Sequence, residues 1–223
     1  TLATWLVPAL REFAARNNVR IDVKIADEDD TAQWLRSGKA VGVVTSEARP
    51  LQGCRVAPLG VMRYRATASP RFVRRWLADG ATVHALRAAP SLAYNRKDEL
   101  CEQFLSESPS PVDTDGDIDT DIHTDIDTGA ELHAHFLPSP NAHVQACLEG
   151  LGWGMNPQPL VASLIKRRRL VDLSPQRTVD VALYWQQWSI SSTSVDALAC
   201  SLREHAQQAL AHEGAEGARS GRG

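Results

Sequence analysis

The chain has 223 residues, 43% hydrophobic and 23% charged, enough to build one large or two small α/β lobes and too much for a short domain held by disulfides. No stretch approaches the ~18–20 apolar residues of a membrane helix, so nothing is expected to span a bilayer. The net charge of -3 hides an uneven distribution: seven aspartates lie between Asp113 and Asp127, and the other acids are outnumbered by 24 Lys and Arg.

Leu2, Trp5, Leu6, Ala9, Leu10 and Phe13 recur at helical spacing behind Thr1, which is suited to cap the helix, and Pro8 is expected to kink it. Val19, Ile21, Val23 and Ile25 alternate with polar residues, the pattern of a strand. A short helix over Thr31–Ser37 ends at Gly38, and Val41–Val44 is an apolar run of strand length. Strand, helix and strand within so short a span predict a right-handed βαβ unit with parallel pairing.

Phe72–Leu77 and Thr82–Arg87 read as helices, Ser91–Tyr94 as a strand and Asp98–Ser106 as a helix with Leu100, Phe104 and Leu105 inward. An Asp-rich insertion over 109–129 interrupts the pattern. It resembles the start of a calcium loop, but Gly116 comes too early and Thr124 stands where a twelfth-place glutamate is needed. A solvated loop is the expectation.

Phe136–Leu137 is a short strand candidate, and Asn141 opens a helix that stops at Gly150. A helix over Gln158–Arg169, strands over Leu170–Leu173 and Val179–Trp188, and a long amphipathic helix over Ser194–Ala211 complete the body. The tail over 213–223 is expected to be disordered. The basic patches at Arg71, Arg74, Arg75 and Lys166–Arg169 are expected to be solvated faces.

In open parallel sheets, binding groups collect at the carboxyl ends of strands, where helix N-termini favour anions. That rule selects Thr1, Asp27, Glu28, Thr45, Ser46 and Glu47 in a first lobe and Asn95, Asp98, Ser139, Asn141 and His143 in a second. Two such sets facing across a cleft would form a trap for a small amphiphilic molecule. No catalytic constellation competes: G-x-S-x-G, a phosphate-binding glycine loop and H-E-x-x-H are all missing from the sequence. Cys147 beside His143 reads as core packing, and His133 with His135 as a solvent-facing pair. No metal site and no cofactor is expected. Cys54, Cys101, Cys147 and Cys200 lack zinc or C-x-x-C spacing and are expected to be free buried thiols. The opening at Thr1 carries no basic n-region or cleavage site, so no secretory signal is expected and Thr1 is read as a break in a longer chain.

Several stretches together resemble a known family. These are the opening Leu2–Leu10, Asp27-Glu28-Asp29 leading to Leu35-Arg36-Ser37-Gly38, Val41–Thr45, and the run Gly150-Leu151-Gly152-Trp153-Gly154-Met155-Asn156-Pro157. They resemble the effector-binding domain of LysR-type transcriptional regulators, within the branch that controls basic amino-acid export. The match spans most of the chain outside the Asp repeat and tail.

The resemblance implies an α/β fold of two Rossmann-like lobes, type 2 periplasmic-binding-protein-like. Lobe I would cover 1–65 plus 190–212 with its first strand missing, and lobe II 66–189 with the insertion. It also implies a cytoplasmic homodimer or tetramer, lysine or arginine as effector, no enzymatic activity, and DNA contact only through an N-terminal winged helix-turn-helix absent here. On that reading Thr1 and the helix start near Asn141 receive the α-carboxylate, while Asp27, Glu28, Glu47 and Asp98 read the basic end. A transporter's solute-binding protein of shared fold is the alternative.

Overall fold

The computed structural model describes residues 5–25, 28–107 and 132–210, with the side chains of Glu28 and Asp29 left aside; Thr1, Asp27, the Asp repeat and the tail lie outside them. The elements run α1 (Leu6–Asn17), α2 (Glu28–Arg36), β1 (Gly42–Thr45), β2 (Cys54–Ala68), α3 (Pro70–Trp76), α4 (Val83–Ala88), β3 (Ser91–Ala93) and α5 (Leu100–Ser106). They continue with β4 (Ala134–Phe136), α6 (Pro140–Leu148), β5 (Trp153–Pro157), α7 (Gln158–Lys166), β6 (Val171–Asp172), β7 (Val179–Trp188) and α8 (Thr193–Ala209).

The chain divides into two units, Thr1–Arg63 with Asp180–Gly223, and Tyr64–Val179. β2 runs from the first into the second, and β7 leads back. Lobe II was expected to extend to 189, but β7 from Asp180 onward belongs to unit 1.

In unit 1, β1 pairs antiparallel with β7, with Val43 opposite Gln186 and Thr45 opposite Tyr184. α1 packs on α8, burying Trp5, Leu6, Ala9 and Phe13 on one side and Leu198, Leu202 and Ala206 on the other. The Ser201 hydroxyl fixes the pair by donating to the Ala9 carbonyl at 3.1 Å. Pro8 stands in the first turn of α1, where N–H groups have no intrahelical acceptor, so it removes no ladder bond and imposes no kink.

The expected strand over 19–25 does not form. These residues carry no regular structure, and Val23 and Ile25 are 51% and 70% exposed. Alternating side chains make a strand only where a neighbour completes the ladder, and none of the described strands pairs with this segment. The parallel βαβ unit is therefore also not seen. The polypeptide between β1 and α3 is instead the long strand β2.

In unit 2, β5 lies between β2 and β3, antiparallel to the first and parallel to the second, and β4 joins β3 in parallel. β5 is buried along its whole length, as a central strand covered on both faces must be. Leu92, Val144, Cys147, Val161 and Leu170 form the core on the side of α6 and α7. On the other face Trp153 packs beside Phe104 and donates its indole N–H to the Leu86 carbonyl at 3.0 Å.

Candidate functional site

Parallel β3 and β4 end in register at Ala93 and Phe136, so the loops after them share one edge of unit 2. The loop after β3 is closed by Asp98, whose carboxylate accepts the Tyr94 N–H at 2.7 Å and the Leu100 N–H at 3.1 Å. The Asn95 side-chain oxygen accepts the Lys97 N–H at 2.8 Å. The loop after β4 leads into α6, capped by Ser139 rather than Asn141; its hydroxyl accepts the Ala142 N–H. Pro140 has no N–H, and the His143 N–H goes to the Ser139 carbonyl. The Asn141 N–H is left as the first-turn donor without a partner among the described residues, beside an exposed Asn141 side chain.

Arg96, which the sequence reading passed over, joins the two loops. Its guanidinium lies over the Phe136 ring at 4.9 Å from the centroid, a stacking that holds the planar cation while leaving its N–H edge available. The edge therefore carries donors suited to a carboxylate: an arginine and a helix N-terminus with its dipole.

His143 is not on this surface. It is 6% exposed and packs against β5 where Gly154 has no side chain; a Cβ there would come within 3.1 Å of the imidazole. Burial lowers its pKa, opposed by the Asp98 charge, the Ala93 carbonyl and the Asn156 side chain. Asn156, also passed over, is fully buried and donates to the Thr67 hydroxyl at 3.0 Å and to Cys147 Sγ at 3.2 Å. The His143 Nε2 and Asn156 Oδ1 atoms make no hydrogen bond of ordinary geometry among the described residues.

Cys147 is packed as expected, and burial pushes its thiol up to about 12, which removes thiolate character. All four cysteines are free, but Cys200 is exposed and Cys54 half-buried, so only Cys101 and Cys147 fit the expectation of burial. His133 and His135 both face solvent.

In unit 1, the Thr45 hydroxyl accepts the Glu47 N–H at 3.0 Å and the Glu47 carboxylate accepts the Arg49 N–H at 2.7 Å. Buried Gln186 anchors the same loop, donating to the Glu47 and Arg49 carbonyls at 3.0 and 3.1 Å. Only the main chain of Glu28 is described, in the first turn of α2. A cavity of about 770 Å³ in this unit lies along the free edge of β1 and is lined by Leu6, Phe13, Ile21, Trp34, Val43 and Trp185 among others. None of its described lining residues is an expected site residue, and the charged Arg20, Asp22, Lys24 and Lys39 line it beside the apolar side chains.

No family model matches the chain. It is similar to the HTH-type transcriptional regulator LysG of Mycobacterium tuberculosis, 36% identical over 203 residues, covering 91% of this chain and 60% of that protein. The corresponding figures for the regulator ArgP of Pseudomonas aeruginosa are 33% over 205 residues, 92% and 61%. The chain thus spans about three fifths of the length of these relatives. Among solved structures, it resembles the C-terminal domains of a LysR family protein from Agrobacterium tumefaciens at 36% identity and a TM-score of 0.81, covering 95% of this chain and 94% of that one. Full-length LysG from Corynebacterium glutamicum, solved with the effector Arg bound, is 29% identical with a TM-score of 0.74, covering 94% of this chain and 66% of that one.

Proposed function

The chain belongs to the LysR family of transcriptional regulators, and from that premise we propose that it is the effector-sensing part of such a regulator, responding to L-lysine or L-arginine. Its fold is the type 2 periplasmic-binding-protein-like fold of LysR regulatory domains. The observation that carries the reading is the agreement with the Agrobacterium tumefaciens domains over nearly the full length of both chains.

The choice of effector draws on the arginine bound to the Corynebacterium glutamicum protein. It also draws on the edge of unit 2, where Arg96, the Asn141 N–H and the Asn141 side chain form a carboxylate-binding set. Of the residues expected from sequence, Asn95, Asp98, Asn141, Thr45 and Glu47 stand in strand-end loops and are retained in the proposal, Asp98 as a shaper of its loop. Buried His143 is retained as support for the edge. Thr1, Asp27 and Glu28 are retained from the sequence argument.

Sequence-specific DNA reading is assigned to a winged helix-turn-helix outside this chain, and assembly to a homodimer or tetramer. The role is sensing rather than catalysis, in the cytoplasm. Among the described residues no helix is long and apolar enough to cross a membrane.

Melting curves of the chain with each of the twenty amino acids test the reading. Lysine or arginine, and not leucine or glutamate, should raise the midpoint, because a ligand that binds only the folded state stabilises it by mass action. A response to acidic or aliphatic amino acids alone contradicts it.

A further inference from the structure

Two basic runs stand at one end of unit 2. β2 pairs antiparallel with β6, Ala68 opposite Val171, so the chain leaving β2 through Ser69 and Pro70 runs beside the chain entering β6 through Arg169 and Leu170. α3 follows at once and carries Arg71, Arg74 and Arg75; α7 ends at Lys166 and turns through Arg167, Arg168 and Arg169. All seven cations are exposed, and none makes an ion pair among the described residues. Elsewhere Arg63, Arg65 and Arg87 are each matched to a carboxylate. The acids close by in sequence are Glu149, next to the Gly150 that abuts Arg71, Asp79 beyond α3, and Asp172 of β6, which is held by Arg65.

The turn after α7 carries a second observation. The Arg168 N–H donates to the Ile165 carbonyl at 2.8 Å and the Arg169 N–H to the Leu164 carbonyl at 2.9 Å, the two bonds of a Schellman motif. The left-handed position in that motif, φ 56°, is held by Arg168. Glycine adopts this conformation without steric cost and most helices that end this way use it. A bulky cation there carries a backbone strain that glycine would avoid.

We propose that this face of unit 2 binds the phosphate backbone of duplex DNA without regard to sequence, a contact additional to any sequence-reading domain. Guanidinium groups match phosphate oxygens in pairs of parallel hydrogen bonds, and a run of them displaces counterions from a polyanion. The sequence reading took these patches as solvated surface; the convergence of both runs and the strained Arg168 argue for a partner. The choice of DNA among polyanions rests on the regulatory role above, whereas the face itself does not.

Fluorescence anisotropy of the 223-residue chain with a labelled duplex of arbitrary sequence tests this. At about 50 mM salt the chain should bind in the micromolar range, with affinity falling steeply as salt rises. The triple variant R167E/R168E/R169E should bind at least about ten-fold more weakly, with a salt slope shallower by about 2–3. Arg168→Gly should raise the melting temperature, by relieving the left-handed residue, while weakening DNA about two-fold. A merely structural Arg168 would not separate those two readouts. Replacing Arg219 and Arg222 of the tail by Ala should leave binding intact. Absence of binding by the unmodified chain, equal binding by the triple variant, loss of binding in the tail variant, or binding to phosphatidylglycerol vesicles but not to DNA would each overturn the proposal. Lysine titration of the same samples reports the effector reading separately.

Discussion

The Asp98 carboxylate receives the Tyr94 backbone N–H at 2.7 Å while its other oxygen takes the Leu100 N–H at 3.1 Å. An acid expected to read a ligand's charge is thus engaged in closing the loop between β3 and α5. Asp98→Asn replaces one acceptor by an amide that faces a donor, and hydrogen bonds to a charged group are worth about 1.5–3 kcal/mol. Urea denaturation should show a loss of that size. Unchanged stability together with a selective loss of lysine over norleucine would return Asp98 to direct charge recognition.

Gln186 is the counterpart in unit 1, tying three main-chain groups of the loop after β1: the Glu47 and Arg49 carbonyls and the Leu51 N–H. Gln186→Ala removes the Gln186 partner from all three. Water reaches this partly exposed loop, so the expected cost is about 1–3 kcal/mol rather than the full sum of three buried losses. Hydrogen exchange of the amides at 47–51 should accelerate in the variant; unaltered exchange would show that the loop is held by other means.

Much of this organisation is legible in the sequence. β7 and the helices after Ser69, Thr82 and Ser192 follow from apolar spacing and capping side chains. β2 was not legible, because its alternation breaks where Pro58 and Gly60 intervene, Gly60 has φ 140°, and Val61 and Met62 are buried in succession. The segment 19–25 misleads in the opposite sense, having the period of a strand without a paired neighbour. At the site, the strand-end rule located the loops but not Arg96, whose role depends on a contact with Phe136, forty residues away and on another strand. Asn156 was hidden likewise, since its partners Thr67 and Cys147 come from β2 and α6.

The absence of a ladder at 19–25 has a direct consequence. Val23→Thr and Ile25→Thr change side chains that are 51% and 70% exposed, so each should alter stability by no more than about 0.5 kcal/mol. Losses above about 2 kcal/mol would show the segment to be packed, as a strand with a covered face would be.

His143 makes stability depend on pH. Its folded pKa lies below the ordinary 6.5, first because burial disfavours the imidazolium. The unfolded chain then binds the proton more readily than the folded one, so this stabilisation is complete above pH 6.5 and is lost as pH falls toward the folded pKa. Urea midpoints at pH 7.5 and at pH 5.5 should differ, and His143→Gln should flatten the difference. An identical pH dependence in that variant would exclude His143 as its source.

The central claim is that the chain senses a basic amino acid, and isothermal calorimetry with L-lysine and L-norleucine tests it most directly. The two ligands share the α-amino acid head and differ in the terminal charge. Lysine is predicted to bind and norleucine to bind at least about ten-fold more weakly, since a charge-assisted hydrogen bond contributes about 1.5–3 kcal/mol. Arg96→Ala should weaken lysine and arginine alike through the carboxylate. Equal affinity for lysine and norleucine would contradict the account.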